Sequence, residues 1–261
     1  MSTTTVPTLD ISGTGQVPLG RLVKVEVRKA LDTRAGFWFA VSIVGLVLAV
    51  EVIFALVASD GDRTFENHLG IAGAVLGYFL PILIIMLVTS EASQRNGLVT
   101  FTLEPRRPRV VLAKFLAGLV LAVVVMVLSA VMAIIGMLIG GGDDWGLDGN
   151  LIFNGFILSA FVAVLIGFAI ATLLMNTPAA IVGYFAYTLI LPTAVGILSA
   201  LSEGFEKVAP WIEFNTAQTP LFMGDYTPTG EEWAQIATSG FIWLVIPLAL
   251  GIRRLLRIEF K

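Results

Sequence analysis

Six stretches of this chain are long enough and apolar enough to cross a lipid bilayer, and no other feature narrows the possible folds so far. They run over Gly36–Ala58, Leu69–Thr89, Val110–Ile139, Leu151–Met175, Ala179–Leu201 and Trp233–Ile252. A hydrocarbon layer about 30 Å thick takes about 20 residues of helix to span. A backbone with no water beside it must satisfy its amides internally, which a helix does within one segment. The expected fold is an all-α integral membrane protein with six transmembrane helices. Composition agrees: 57% of residues are hydrophobic and 13% charged, and mean hydropathy is +0.90. A soluble domain carries about 25% charged residues.

Charge placement then orients the bundle. Of sixteen lysines and arginines, only Arg63 and Lys207 fall in one set of loops; the other fourteen lie before the first span, between the second and third, or after the sixth. Lysine and arginine gather on the cytoplasmic side of short loops, so both termini are expected in the cytoplasm. The acids lean the other way, into "SDGDRTFE", "GGGDDWGLDG" and the loop from Ser202 to Glu232. Two readings stand: acids settle outside because they weigh little in topology, or they draw cations to the outer face.

Residues 1–17 have neither the basic start nor the apolar core of a signal peptide, and read as a disordered cytoplasmic tail. Residues 18–35 predict an amphipathic helix along the inner membrane surface. Leu19, Leu22, Val23, Val27, Ala30 and Leu31 share one face, while Arg21, Lys24 and Arg28 turn toward anionic headgroups. Residues 36–261 then form the six-helix domain, with a cytoplasmic loop over 91–109 and an outer loop over 202–232. The third span is long and opens with Arg109 and Lys114, which predicts a start on the membrane surface.

Much chemistry is excluded. The chain has one histidine and no cysteine, so disulfides, thiolate metal sites and histidine-activated nucleophiles have almost nothing to draw on. His68, at the outer mouth of the second span, reads as an interfacial side chain. No histidine and carboxylate cluster has metal-ligand spacing, and no Gly-x-x-x-x-Gly-Lys-Ser/Thr loop is present to cradle a nucleotide. The chain is therefore not expected to be an enzyme or to hold a cofactor. If ATP drives it, ATP and Mg sit on a partner.

Within the spans, Glu51 is the one buried charge, and an acid at the membrane centre costs about 3 kcal/mol on translocon scales. It is either a substrate, cation or proton site on a translocation path, or a neutral carboxyl bonded inside the bundle. Tyr184, Phe185 and Tyr187 on the fifth span are further pathway candidates, or buried packing. Gly73-x-x-x-Gly77 and Gly136-x-x-x-Gly140 permit close helix contact, by default within the subunit. Pro81, Pro192 and Pro247 kink helices and free carbonyls. The segment "KVAPWIEFNTAQTPLF" predicts short helices dipping into the outer interface.

The polar insert "SEASQRNGLVTFTLEPRRPRVVLAKF" between the second and third spans is longer than a simple connection needs. Leu98 and Phe101, with Arg95 nearby, give a short helix apolar teeth suited to a groove on another protein. On spacing alone, topology-setting arginines explain it equally well. Glu91, then Arg95-Asn96-Gly97, then "EPRRPR" with Arg106 and Arg107, then Lys114 resemble the cytoplasmic loop of permease subunits in type-2 ABC exporters. Leu98 stands where that family often has threonine. The resemblance covers the whole chain, from an elbow helix through six spans to a long outer loop before the last.

That resemblance implies a permease in a bacterial plasma membrane, paired with a second copy or a paralogue and resting on two ABC ATPase subunits. Residues 92–102 would be the coupling helix, with Glu91, Arg95, Gly97, Leu98, Phe101, Arg106 and Arg107 at the ATPase contact. The cargo would be hydrophobic or amphipathic: a drug, antibiotic, peptide or lipid, and not nucleic acid. The alternatives are an ion-gradient-driven transporter or channel using Glu51, and a non-transporting immunity or sensor subunit.

Overall fold

The computed structural model describes residues 17–93 and 106–257. The expected tail before Val17 lies outside the described residues, as do Arg95, Gly97, Leu98 and Phe101. Every regular element among the described residues is helical. A leading helix α1 covers Leu19–Asp32. The six spans are α2 (Arg34–Val57), α3 (Phe65–Ser93), α4 (Arg107–Gly140), α5 (Leu151–Leu174), α6 (Thr177–Leu201) and α9 (Gly230–Leu256). Two short helices, α7 (Glu203–Ile212) and α8 (Phe214–Ala217), fill the last long connection.

Local capping explains where the spans start. At α2 the Thr33 hydroxyl accepts the Gly36 amide at 3.2 Å, which satisfies one of the orphan donors of a helix N-terminus. At α9, Thr229 and Glu232 form a reciprocal capping box: the Glu232 carboxylate accepts the Thr229 amide at 2.6 Å and the Thr229 hydroxyl accepts the Glu232 amide at 3.3 Å. The helix therefore starts three residues before the expected Trp233. Helix α3 starts at Phe65, four residues before the expected Leu69, which carries His68 from the membrane edge into the helix.

Helices α3 and α5 are central. Just over half of each one's most apolar stretch is buried, 56% in both, against 17% for α6 and α9. α3 packs on α2, α4, α5 and α6, while α6 and α9 leave apolar flanks for lipid or a partner. At Gly167 of α5, a Cβ would lie 2.6 Å from the Pro81 carbonyl oxygen of α3, so the two backbones touch at the proline. The other span prolines each follow a widened π turn: Ala186–Ile190 precedes Pro192, and Phe241–Val245 precedes Pro247. Proline lacks an N–H and crowds the carbonyl four residues back, and a widened turn relieves that crowding.

One end of the bundle is basic. Here Arg109 donates to the Val17 carbonyl at 2.5 Å, Arg107 to the Leu256 carbonyl at 3.0 Å, and Arg254 to the Leu173 carbonyl at 2.5 Å. These bonds gather the head of α1, the start of α4 and the ends of α5 and α9. Arg21, Lys24 and Arg28 are exposed along α1, as its amphipathic pattern predicts, while Val23, Val27 and Ala30 face the core. Leu31, assigned to that apolar face, is instead exposed. The most buried residue of α1 is an acid the pattern does not flag. Glu26 is 4% exposed and receives Lys114 of α4 at 2.7 Å and Lys29 at 2.8 Å. Lys114 is also 4% exposed; it sits beneath α1, where Glu26 balances its charge.

Candidate transport cavity and coupling region

The face of α3 toward α2 and α4 is sealed around two polar groups. Glu51 and His68 have no solvent-exposed surface, and the Glu51 Oε2 lies 2.5 Å from the His68 Nδ1. Phe54, one turn along α2, sets its ring edgewise against the imidazole with centroids 5.0 Å apart. Gly136 of α4 makes the space: a Cβ there would stand 2.8 Å from the Glu51 Oε2 and 3.0 Å from the His68 Nδ1. Four residues on, Gly140 faces Ala55 and Arg63, and its carbonyl accepts the Arg63 Nη1 at 3.1 Å. This glycine pair packs helices within the subunit. His68 is thus not an interfacial side chain. The earlier start of α3 places it within the helix, where Glu51 offers the one strong bond.

The opposite face of α3 is open. A cavity of about 750 Å³ lies between α3, α5, α6 and the segment from Asn215 to Tyr226. Gly70 and Gly77 line it, and a Cβ at either would meet no atom within 4 Å. Gly73 does touch Phe156 of α5, at 3.3 Å from a Cβ, so only half of the Gly73/Gly77 pair acts as helix packing. Pro81 has no N–H to give the Gly77 carbonyl, and the Tyr184 hydroxyl of α6 takes over that role. It lies 3.1 Å from the Gly77 oxygen and 2.9 Å from the Tyr78 oxygen. A carbonyl released by a membrane proline is satisfied by a neighbouring helix.

Tyr184 and Tyr187 both line the cavity, whereas Phe185 turns out of its wall, 38% exposed. Glu51 lies behind the wall and does not line it. The connection from α6 to α9 forms the remaining side. Glu213, 1% exposed, caps α8 by accepting the Asn215 and Thr216 amides at 3.0 and 2.6 Å, the Asn215 side-chain amide at 2.7 Å and the Thr216 hydroxyl at 2.6 Å. Four donors on one buried carboxylate hold the turn rigid. Asn215 reaches the Tyr187 carbonyl at 3.3 Å, Trp243 donates to the Ile212 carbonyl at 2.7 Å, and Asn154 donates to the Tyr226 carbonyl at 2.7 Å. The short helices are therefore tied into the bundle by α5, α6 and α9.

At the basic end, Arg106 is exposed and Arg107 half-buried. Glu91 belongs to the last turn of α3, and the residues expected at the ATPase contact between them lie outside the described residues.

Six helices long and apolar enough to cross a membrane, with a ligand-sized cavity among them, define a polytopic membrane protein. The family model for ABC-2 family transporter proteins matches residues 105–260, more than half of the chain, and the chain belongs to that family as a membrane permease. The match spans α4 to α9, and so includes three sides of the cavity: α5, α6 and the segment from Asn215 to Tyr226. A search of curated proteins finds no match.

Proposed function

We propose that this chain is the membrane-spanning permease of an ATP-driven exporter in a bacterial plasma membrane, carrying a hydrophobic or amphipathic cargo outward. It works beside a second permease, identical or paralogous, and two ABC ATPase subunits bind ATP and Mg. Both termini and the 91–109 loop face the cytoplasm, where fourteen of the sixteen lysines and arginines fall. Family membership supports the ATPase partnership, as does a sequence with no phosphate-cradling loop of its own.

The observation that carries the cargo reading is the apolar-walled cavity of about 750 Å³, within the range of about 300–1,000 Å³ found for small-molecule sites. It lies toward the end opposite the basic coupling region. Closure of the ATPases on nucleotide would push the α3–α4 connection. α3 carries Pro81 in its interior and forms one wall of the cavity, so it carries that movement to the cargo by rigid-element rocking.

The test is reconstitution. Vesicles containing the chain and its ATPase should accumulate a fluorescent amphiphile only with ATP and Mg. Replacing Arg95, Leu98 and Phe101 with Ala, Asp and Asp should abolish accumulation while leaving membrane insertion intact. Unchanged ATPase capture by that triple variant, or accumulation without nucleotide, would overturn the reading.

A further inference from the structure

We propose that the cavity selects amphipathic cargo bearing a positive charge, a bulky organic cation, and rejects its anionic counterpart. The inference rests on reading this cavity as the cargo site and adds the sign of the cargo's charge. Six aromatic rings contribute to its wall: Phe54, Tyr78, Tyr184, Tyr187, Phe222 and Tyr226. The faces of such rings attract cations and repel anions. Among the described residues, the only charged ones in the lining are two acids, Asp62 and Glu66, with no lysine, arginine or histidine.

The nearby cations are turned elsewhere. Arg63, next to Asp62 in sequence, points its guanidinium at Asp60 and the Gly140 carbonyl, each 3.1 Å away. His68 is bonded to Glu51 behind the wall. The negative potential of Asp62 and Glu66 is thus not cancelled from within the lining, and an apolar wall focuses it into the cavity.

Two further observations point inward. Tyr226 sits in the left-handed region at φ +56°, and its carbonyl accepts the Asn154 side-chain amide at 2.7 Å. Burial raises its phenol above the ordinary range, and the Glu66 and Asp148 carboxylates beside it raise it further. Tyr226, one of the rings in the wall, thus has two carboxylates beside it. Deeper in the wall, Tyr187 is 8% exposed and its hydroxyl has no hydrogen-bond partner among the described residues. A mainly apolar wall interrupted by a few polar side chains, Asn67, Thr188, Asn215 and Gln218 among them, suits an amphiphile with a polar tip. A small metal ion does not fit this donor set, since no group of three or more acid or histidine ligands occurs among the described residues. An organic cation keeps its charge spread over a large surface and needs no such cage.

The probes are tetraphenylphosphonium and tetraphenylborate, which share a four-phenyl shape and differ in the sign of charge. Each is titrated calorimetrically into the purified full chain against a detergent blank, without nucleotide or ATPase. The phosphonium should bind at least about tenfold more tightly than the borate. The Asp62→Asn, Glu66→Gln double variant should weaken phosphonium binding about tenfold and bring the two probes together. Asp143→Asn, at the same end but outside the lining, should leave the ratio unchanged. Should the double variant fail to fold, Glu66→Gln alone and the salt dependence of the wild-type protein serve: phosphonium affinity should fall as ionic strength rises. Equal affinity for the two probes, tighter borate binding, or a double variant that keeps the wild-type ratio would overturn the inference. Binding is read without transport, so a chain that discriminates the probes but moves nothing with ATP would sink the exporter reading and leave this one standing.

Discussion

The two faces of α3 make opposite use of small residues. Toward α2 and α4, Gly136 removes a side chain so that a buried Glu51–His68 pair can close without a gap. Toward α5 and α6, Gly70 and Gly77 remove side chains and nothing fills the space, which becomes cavity. Both glycine patterns look alike in sequence. A missing Cβ tightens a contact where a partner helix follows it in, and opens a void where the partner is held away. Here the partner is held away by Tyr184, whose hydroxyl bonds the Gly77 and Tyr78 carbonyls one turn before Pro81.

Breaking the sealed face should have the largest effect. Gly136→Leu drives side-chain atoms into Glu51 and His68 and should cost about 3 kcal/mol or more, seen as loss of the monodisperse peak in fluorescence-detected size exclusion. Gly77→Ala should change stability by no more than about 1 kcal/mol, because its Cβ enters open space. Equal damage from the two would erase the distinction between the faces.

Next in size is Lys114→Met, which loosens α4 at its other end, where α1 crosses it. Removing one partner of a buried ion pair costs about 3–5 kcal/mol, but Lys29 still meets Glu26. A loss of about 2 kcal/mol in thermal unfolding is expected, and Glu26 and Lys114 changed together to apolar residues should recover part of it.

A smaller loss, about 1–2 kcal/mol, should follow Tyr184→Phe, which strips the bond from the Gly77 carbonyl. Because that bond also sets the cavity wall, cargo affinity should change in the same variant. Unaltered affinity would separate that bond from the cavity.

The smallest effect is expected from Glu51→Gln. The amide can bond the His68 Nδ1 in either tautomer, so stability should shift by less than about 1 kcal/mol and ATP-dependent transport should persist. Lost transport with the fold intact would show that the sealed face takes part in the cycle.

Legibility divides along the same line. The six spans were readable because the cost of burying an unpaired backbone in lipid demands long apolar helices. The amphipathic α1 was readable because cations repeat along one side of it. Glu26 was not, since an acid amid lysines looks solvated until Lys114 arrives from eighty-eight residues away. His68 was misplaced by four residues of helix start, because the apolar run begins at Leu69 while the helix begins at Phe65. Tyr184 and Tyr187 could be named as wall candidates, but Phe185 between them could not be told apart from its neighbours.

Helix number, helix length and the separation of basic from acidic ends follow from the order of residues alone, because hydrocarbon imposes its conditions on each segment independently. Which glycine is a contact and which is a void, where the freed carbonyl of Pro81 finds its donor, and which carboxylates face the cavity were settled only when the helices packed. Those outcomes depend on what the neighbouring helix places opposite, and no segment carries that information by itself.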